Sequence, residues 1–317
     1  MTSRPSLLAF CFFLSCLVLS QAYPPETFCK PIPLRPGRAC LAKAKHPPAR
    51  FDAERAFHHV ANLVAIGPRP SGSPGIARAQ GYIEQTLGSF GVAFEEDTFT
   101  ADTPVGPLAM MNMIAKIPGE LPGVVLLATH YDTKRLPAFV GANDGGSSTG
   151  LMLELARVLA ASRPKFTVWI VFLDGEEAIV EYGPNDGFHG SRHLAAKMQA
   201  SGELKRVRAM ILADLIGDAD LDIRRETNSS PALVNLIWKT ARELGYQKHF
   251  LPDRISILDD HVAFVQRGVQ AADLIDLNYG PGNSYWHTPQ DTLDKISPGS
   301  LGVVGRVILA TLKRLAP

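Results

Sequence analysis

The chain has 317 residues, 46% hydrophobic and 20% charged, the composition of an ordinary globular protein long enough for one large core. Lysine and arginine number 32 against 31 aspartate and glutamate, so there is no basic field to attract nucleic acid or an anionic membrane. The partner is expected to be small or neutral and the protein a monomer.

Residues 1–22 hold a lone cationic Arg4, the apolar run Leu7–Leu19 and a terminal Ser20-Gln21-Ala22, the pattern of a Sec signal peptide. An uncleaved anchor is the alternative, but the run is shorter than the roughly 20 residues a span needs. A secreted or periplasmic protein with no stable membrane insertion after cleavage is expected. Cys11 and Cys16 fall inside this segment, leaving Cys29 and Cys40 for one possible disulfide. Residues 23–50, rich in proline and arginine, read as an extended arm, and residues 51–317 as the folded domain.

Within that domain Phe57, Val60, Leu63 and Val64 recur at helical spacing. The loop Gly67–Gly75 follows, and a second helix runs through Leu87. The apolar runs Met111–Ile117, Val124–Thr129, Phe166–Leu173, Val207–Ala213 and Ala271–Leu277 predict strands. Helical patterns cover Ser147–Ala161, Gly190–Met198, Ala232–Leu244 and Leu301–Leu315. Such alternation predicts a single α/β domain with a central, mostly parallel twisted sheet and helices on both faces.

Ligands of open α/β sheets gather at the carboxyl ends of strands, and the polar residues of this chain concentrate there. His130-Tyr131-Asp132, Asn143-Asp144, Asp174-Gly175-Glu176-Glu177, Asp214 and Trp286-His287-Thr288 all follow predicted strands or their loops. A set of histidine and carboxylates without cysteine suits a catalytic zinc with an open position, and Asp132 is placed to orient a ligating His130. Singly each residue has a plainer reading: Asp144, for example, could cap the helix that follows it. The paired glutamates divide naturally, Glu177 as metal ligand and Glu176 as general acid/base. Asn228-Ser229-Ser230 is a formal glycosylation triplet to which no role is attached.

The loop Gly67–Gly75, His130-Tyr131-Asp132, Gly141-Ala142-Asn143-Asp144, the Glu pair, Asp260-His261 with Phe264, and His287-Thr288 before Asp291-Thr292 resemble the co-catalytic zinc aminopeptidases. Within that superfamily, the stretch from Asp174 through Glu177 to Gly190-Ser191-Arg192-His193, Asp214-Leu215-Ile216-Gly217, Asp259-Asp260-His261 and Trp286-His287-Thr288 is similar to animal-type glutaminyl-peptide cyclotransferases. The latter resemblance implies one zinc on Asp144, Glu177 and His287, Glu176 as proton shuttle, Asp214 and Asp259 as a carboxylate network, and Trp286 as a pocket wall. Tyr182 stands where those enzymes carry tryptophan, Asp273 where they carry histidine, and Thr129 and Thr149 replace a cysteine pair.

The implied reaction converts the N-terminal glutamine of a peptide or protein to pyroglutamate with release of ammonia. The aminopeptidase pattern implies instead a second zinc on His130 and Asp214, bridged to the first by Asp144, and hydrolysis of the first peptide bond. A non-catalytic binding module is the third possibility, disfavoured because such a protein has no use for Glu176.

Overall fold

The computed structural model describes residues 49–316; the signal-peptide reading, most of the arm, and Cys29 and Cys40 lie outside them. The first helix, α1 (Ala53–Ile66), starts where Asp52 accepts the amides of Glu54 and Arg55 at 3.1 and 3.3 Å, satisfying donors that the first turn leaves free. Ser73 caps α2 (Pro74–Ser89) in the same way, with Pro74 opening the helix.

A hairpin follows, β1 (Phe94–Thr103) and β2 (Gly106–Ile117), and then β3 (Leu121–His130), α3 (Gly146–Ala160), β4 (Phe166–Leu173), α4 (His189–Ser201) and β5 (Val207–Asp214). The remainder is β6 (Ile223–Glu226), α5 (Pro231–Glu243), β7 (Phe250–Ile255), α6 (His261–Val265), β8 (Ala271–Ile275) and α7 (Pro298–Arg314).

Six strands form one sheet in the order β1-β2-β4-β3-β5-β8; β1–β2 and β2–β4 pair antiparallel, and β4–β3, β3–β5 and β5–β8 parallel. The expected mixed α/β sheet is thus present, with an antiparallel edge. The central strands are apolar on both sides because both sides are covered. Val168, Ile170 and Phe172 of β4 join a core with α1, α2, α3, α5 and α7, while the alternate Trp169, Val171 and Leu173 pack with α4 and α6.

β1 was not expected as a strand: its Phe-Glu-Glu-Asp-Thr sequence is polar because it lies at the sheet edge, where charge also blunts edge pairing. The two-stranded β6–β7 sheet and the five-residue α6 are too short to leave a periodic signal. The chain leaves β3 for β4 on one side and returns to β5 on the other, so the carboxyl end of β3 lies at a switch point of the sheet.

Candidate active site and metal centre

Of the polar residues singled out at strand ends, His130, Asp144, Glu176, Glu177, Asp214 and His287 come together at that switch point. Asp144 does not cap α3: the cap position is Gly145, in the left-handed conformation with φ 69°, which leaves the Asp144 carboxylate free to point elsewhere. Its Oδ2 lies 3.2 Å from His287 Nε2, and Glu177 Oε1 lies 3.3 Å from the same nitrogen. Both oxygens are buried without a hydrogen-bond donor other than that imidazole edge.

The opposite oxygen, Asp144 Oδ1, is 3.2 Å from His130 Nε2, which is also 3.1 Å from Asp214 Oδ1. Two donor sets therefore share Asp144, one with Glu177 and His287 and one with His130 and Asp214. Burial works against charge on His287, but Asp144 and Glu177 outweigh it and push its pKa up to about 9.

Asp132 does more than orient a histidine. Its Oδ1 lies 3.5 Å from His130 Nδ1, and its two oxygens also accept the amides of Glu176 and Glu177, each at 3.3 Å. Gly175, at φ 72°, makes the turn that aims those amides inward. Glu176 is held well above the usual carboxylate range, by burial first and then by Glu177, Asp259 and Asp260. Tyr182 donates to Glu177 Oε2 at 2.8 Å, lies 3.4 Å from Glu176 Oε2 and stacks on Phe188 at 5.0 Å. Thr129 and Thr149 both reach the carbonyl oxygen of His130, at 2.8 and 3.0 Å, pinning the end of β3.

A cavity of about 330 Å³ opens beside this centre, within the range of a small-molecule site. Glu176, Asp259 and His287 face it, and Tyr182, Phe188 and Trp286 are among its walls. Phe188, Leu215 and His287 all take positive φ, 54°, 49° and 53°. Such strain costs on the order of 1 kcal/mol or more per residue and is retained where position matters.

Three supports escaped sequence reasoning. Arg69 is fully buried and donates to the carbonyls of Tyr131, Val140 and Gly141 at 2.8, 2.5 and 3.0 Å. Asp291 accepts the amides of Asn143 and Asp144 at 2.8 and 3.1 Å and the hydroxyl of Tyr279 at 2.7 Å. Lys134 donates to the Ala178 carbonyl at 2.9 Å beside Glu177. Arg69 and Asp291 had left only a trace, as parts of the Gly67–Gly75 and His287-to-Thr292 resemblances. Arg192 and His193 lie outside the centre: Arg192 donates to the carbonyls of Gly183 and Pro184, and His193 pairs with Asp97. The Asn228 amide is taken up by Glu226 and the carbonyl of Ile257.

The profile of peptidase family M28 matches residues 112–312, well over half of the chain. The chain belongs to peptidase family M28. Within the family it is 33% identical over 276 residues to the glutaminyl-peptide cyclotransferase-like protein of Mus musculus, covering 77% of this chain and 71% of the relative. The solved glutaminyl cyclase of an Acidobacteriales bacterium superposes with a TM-score of 0.82 at 42% identity, over 86% of this chain and 98% of that one. A leucine aminopeptidase precursor from Bacteroides thetaiotaomicron superposes with a TM-score of 0.76 at 27% identity, over 84% and 98%. This M28 chain thus shares its fold with proteins named for both chemistries, with cyclases prominent among its relatives.

Proposed function

We propose that this M28 protein is a zinc-dependent glutaminyl-peptide cyclotransferase, closing an N-terminal glutamine to pyroglutamate with loss of ammonia. The observation that carries the reading is the conjunction of Glu176 with the Asp144, Glu177 and His287 donors beside a cavity that Tyr182, Phe188 and Trp286 also line. The metal fits the residues present. Asp144 Oδ2 and Glu177 Oε1 are buried oxygens lacking donors, and two carboxylates with one imidazole make the open-sided oxygen and nitrogen set that catalytic zinc takes. Bound there, zinc would supply Lewis acidity toward the γ-carboxamide oxygen of the substrate.

The chain's own residues do the rest. Glu176 accepts the proton from the substrate α-amine as that nitrogen bonds to the γ-carbonyl carbon, and delivers it to the departing ammonia, so no net proton is consumed. Tyr182 and Trp286 offer flat faces to the five-membered ring that forms. No attacking water is required, and burial of Glu176 and Asp259 suits a reaction that must exclude one.

A second reading, hydrolysis of the first peptide bond with two ions, draws on the approach of His130 and Asp214 to Asp144. The two are separated by giving the zinc-loaded protein a glutamine-initiated dipeptide amide. Ammonia release with the peptide bond intact is the expected result, while free amino acid released from leucine- or alanine-initiated peptides would replace the cyclotransferase reading with the peptidase one.

A further inference from the structure

Behind Asp259, away from the metal donors, lies a group of acidic side chains with too few hydrogens among them. Asp259 is 5% exposed and Asp273 fully buried, and one donor atom from each of Asp259, His261 and Asp273 lies within 4.8 Å of the others. Asp259 Oδ1 accepts the amide of Asp260 at 2.6 Å. Asp259 Oδ2 and both oxygens of Asp273 have no donor. His261 does not provide one: its Nε2 is committed to Glu226 Oε2 at 3.0 Å, and its Nδ1 stands 3.9 Å from Asp273 Oδ2, beyond hydrogen-bond length.

The Asp259 and Asp273 carboxyl groups instead face each other, an oxygen of each within 4.8 Å of the other and no donor between them, a buried arrangement that is relieved when one of the two keeps its proton. Two bare carboxylates this close would repel strongly in the low-dielectric interior, besides losing their hydration. The neighbours sharpen the conflict. Asp214 from the end of β5, Glu226 from β6, Asp260 ahead of α6 and Glu176 after β4 all add negative charge, opposed by His130 from β3 and His261 from α6. Burial and then Asp214 push Asp259 up to about 8, and burial and then Asp259 hold Asp273 well above the carboxylate range.

We propose that Asp259 and Asp273 form an acid–carboxylate pair holding one proton between them, with Asp273 as the positioning residue that keeps Asp259 oriented and the pair singly charged at the cavity wall. Pairs of this kind titrate as a unit. Asp259 faces the cavity alongside Glu176, so the charge on the pair sets part of the field in which Glu176 exchanges its proton. That consequence rests on the cyclotransferase reading; the shared proton does not, and it can be observed without turnover.

The test compares infrared spectra of the zinc-loaded wild-type protein and Asp273→Asn in H₂O and D₂O at pH 7. The expected result is a protonated-carboxyl component in the wild-type minus Asp273→Asn difference spectrum, separate from the contribution of Glu176, that shifts in D₂O. Kinetically, Asp273→Ala is expected to lose kcat about tenfold, the scale of one hydrogen bond to a charged group, and to move the acid limb of the pH profile. Asp273→Asn, whose amide can still donate to Asp259, is expected to recover part of that loss. A difference spectrum without that component overturns the shared proton, as does a further bound ion, found by metal analysis, that disappears with this substitution. An Asp273→Ala enzyme with wild-type kcat and pH profile overturns the positioning role.

Discussion

Glu176 and Glu177 are adjacent in sequence yet face different groups, because Asp132 fixes both of their amides and Gly175 supplies the turn ahead of them. Glu177 reaches His287 and Asp144, whereas Glu176 faces the cavity. Glu176→Gln is therefore expected to keep its zinc and lose activity by about 10²-fold or more, the usual weight of a general base; metal analysis beside ammonia-release kinetics checks both halves. Glu177→Ala and His287→Ala are expected to lose the ion instead, seen as a metal content near zero after dialysis, and either variant retaining stoichiometric zinc would contradict the donor set. Tyr182→Phe removes a hydroxyl donated to Glu177. A bond to a charged acceptor is worth about 1.5–3 kcal/mol, so kcat/KM is expected to fall by roughly tenfold or more with the stacking on Phe188 intact.

At the scale of elements, the segment after β3 is long and lacks regular structure, and it stays in place because buried charges hold its backbone. Arg69, from the loop between α1 and α2, gathers the carbonyls of Tyr131, Val140 and Gly141, and Asp291 gathers the amides on the other side. Burial pulls the Arg69 pKa down to about 10, which leaves it charged at neutral pH. Replacing it with methionine keeps much of the volume and strands three carbonyls. The expected cost is about 3 kcal/mol or more of stability, read from the denaturant midpoint, together with weaker zinc binding as Asp144 loses its anchor. Stability and zinc affinity both unchanged would show that the loop holds itself.

For the whole molecule, acid sensitivity is expected from Glu226, which ties β6 to α6 and to the segment that carries Asp259. Burial alone would raise its pKa, but His261, the Asn228 amide and the Ser229 hydroxyl outweigh it and lower it from 4.5 to about 2. A carboxylate depressed on folding binds its proton more weakly in the native state. Its contribution, up to about 3 kcal/mol, is complete above about pH 5 and is lost as pH falls toward 2. Thermal midpoints measured from pH 7 to 2 should decline across that window in the wild type, and Glu226→Gln should flatten the decline from a lower starting value.

Local pattern alone specified the central sheet. β4 was legible to the residue because both of its faces are apolar, and the rule that ligands gather at the carboxyl ends of strands picked out His130, Asp144, Glu176, Glu177, Asp214 and His287, whereas Asp259 and Tyr182 came only from the family resemblance. The antiparallel edge was not legible, since β1 is polar for the very reason that it is an edge. Nor were Arg69 and the work of Asp291 and Asp273. The partners of Arg69 and Asp291 are backbone groups 62 to 148 positions away in the chain, that of Asp273 is a carboxylate on the far side of α6, and nothing in a side chain's sequence neighbourhood reports which carbonyl or carboxylate it will meet. Residue types at strand ends determined which chemistry the chain can carry; tertiary packing decided which charges are buried together, and so which must share a proton, hold an ion or anchor a loop.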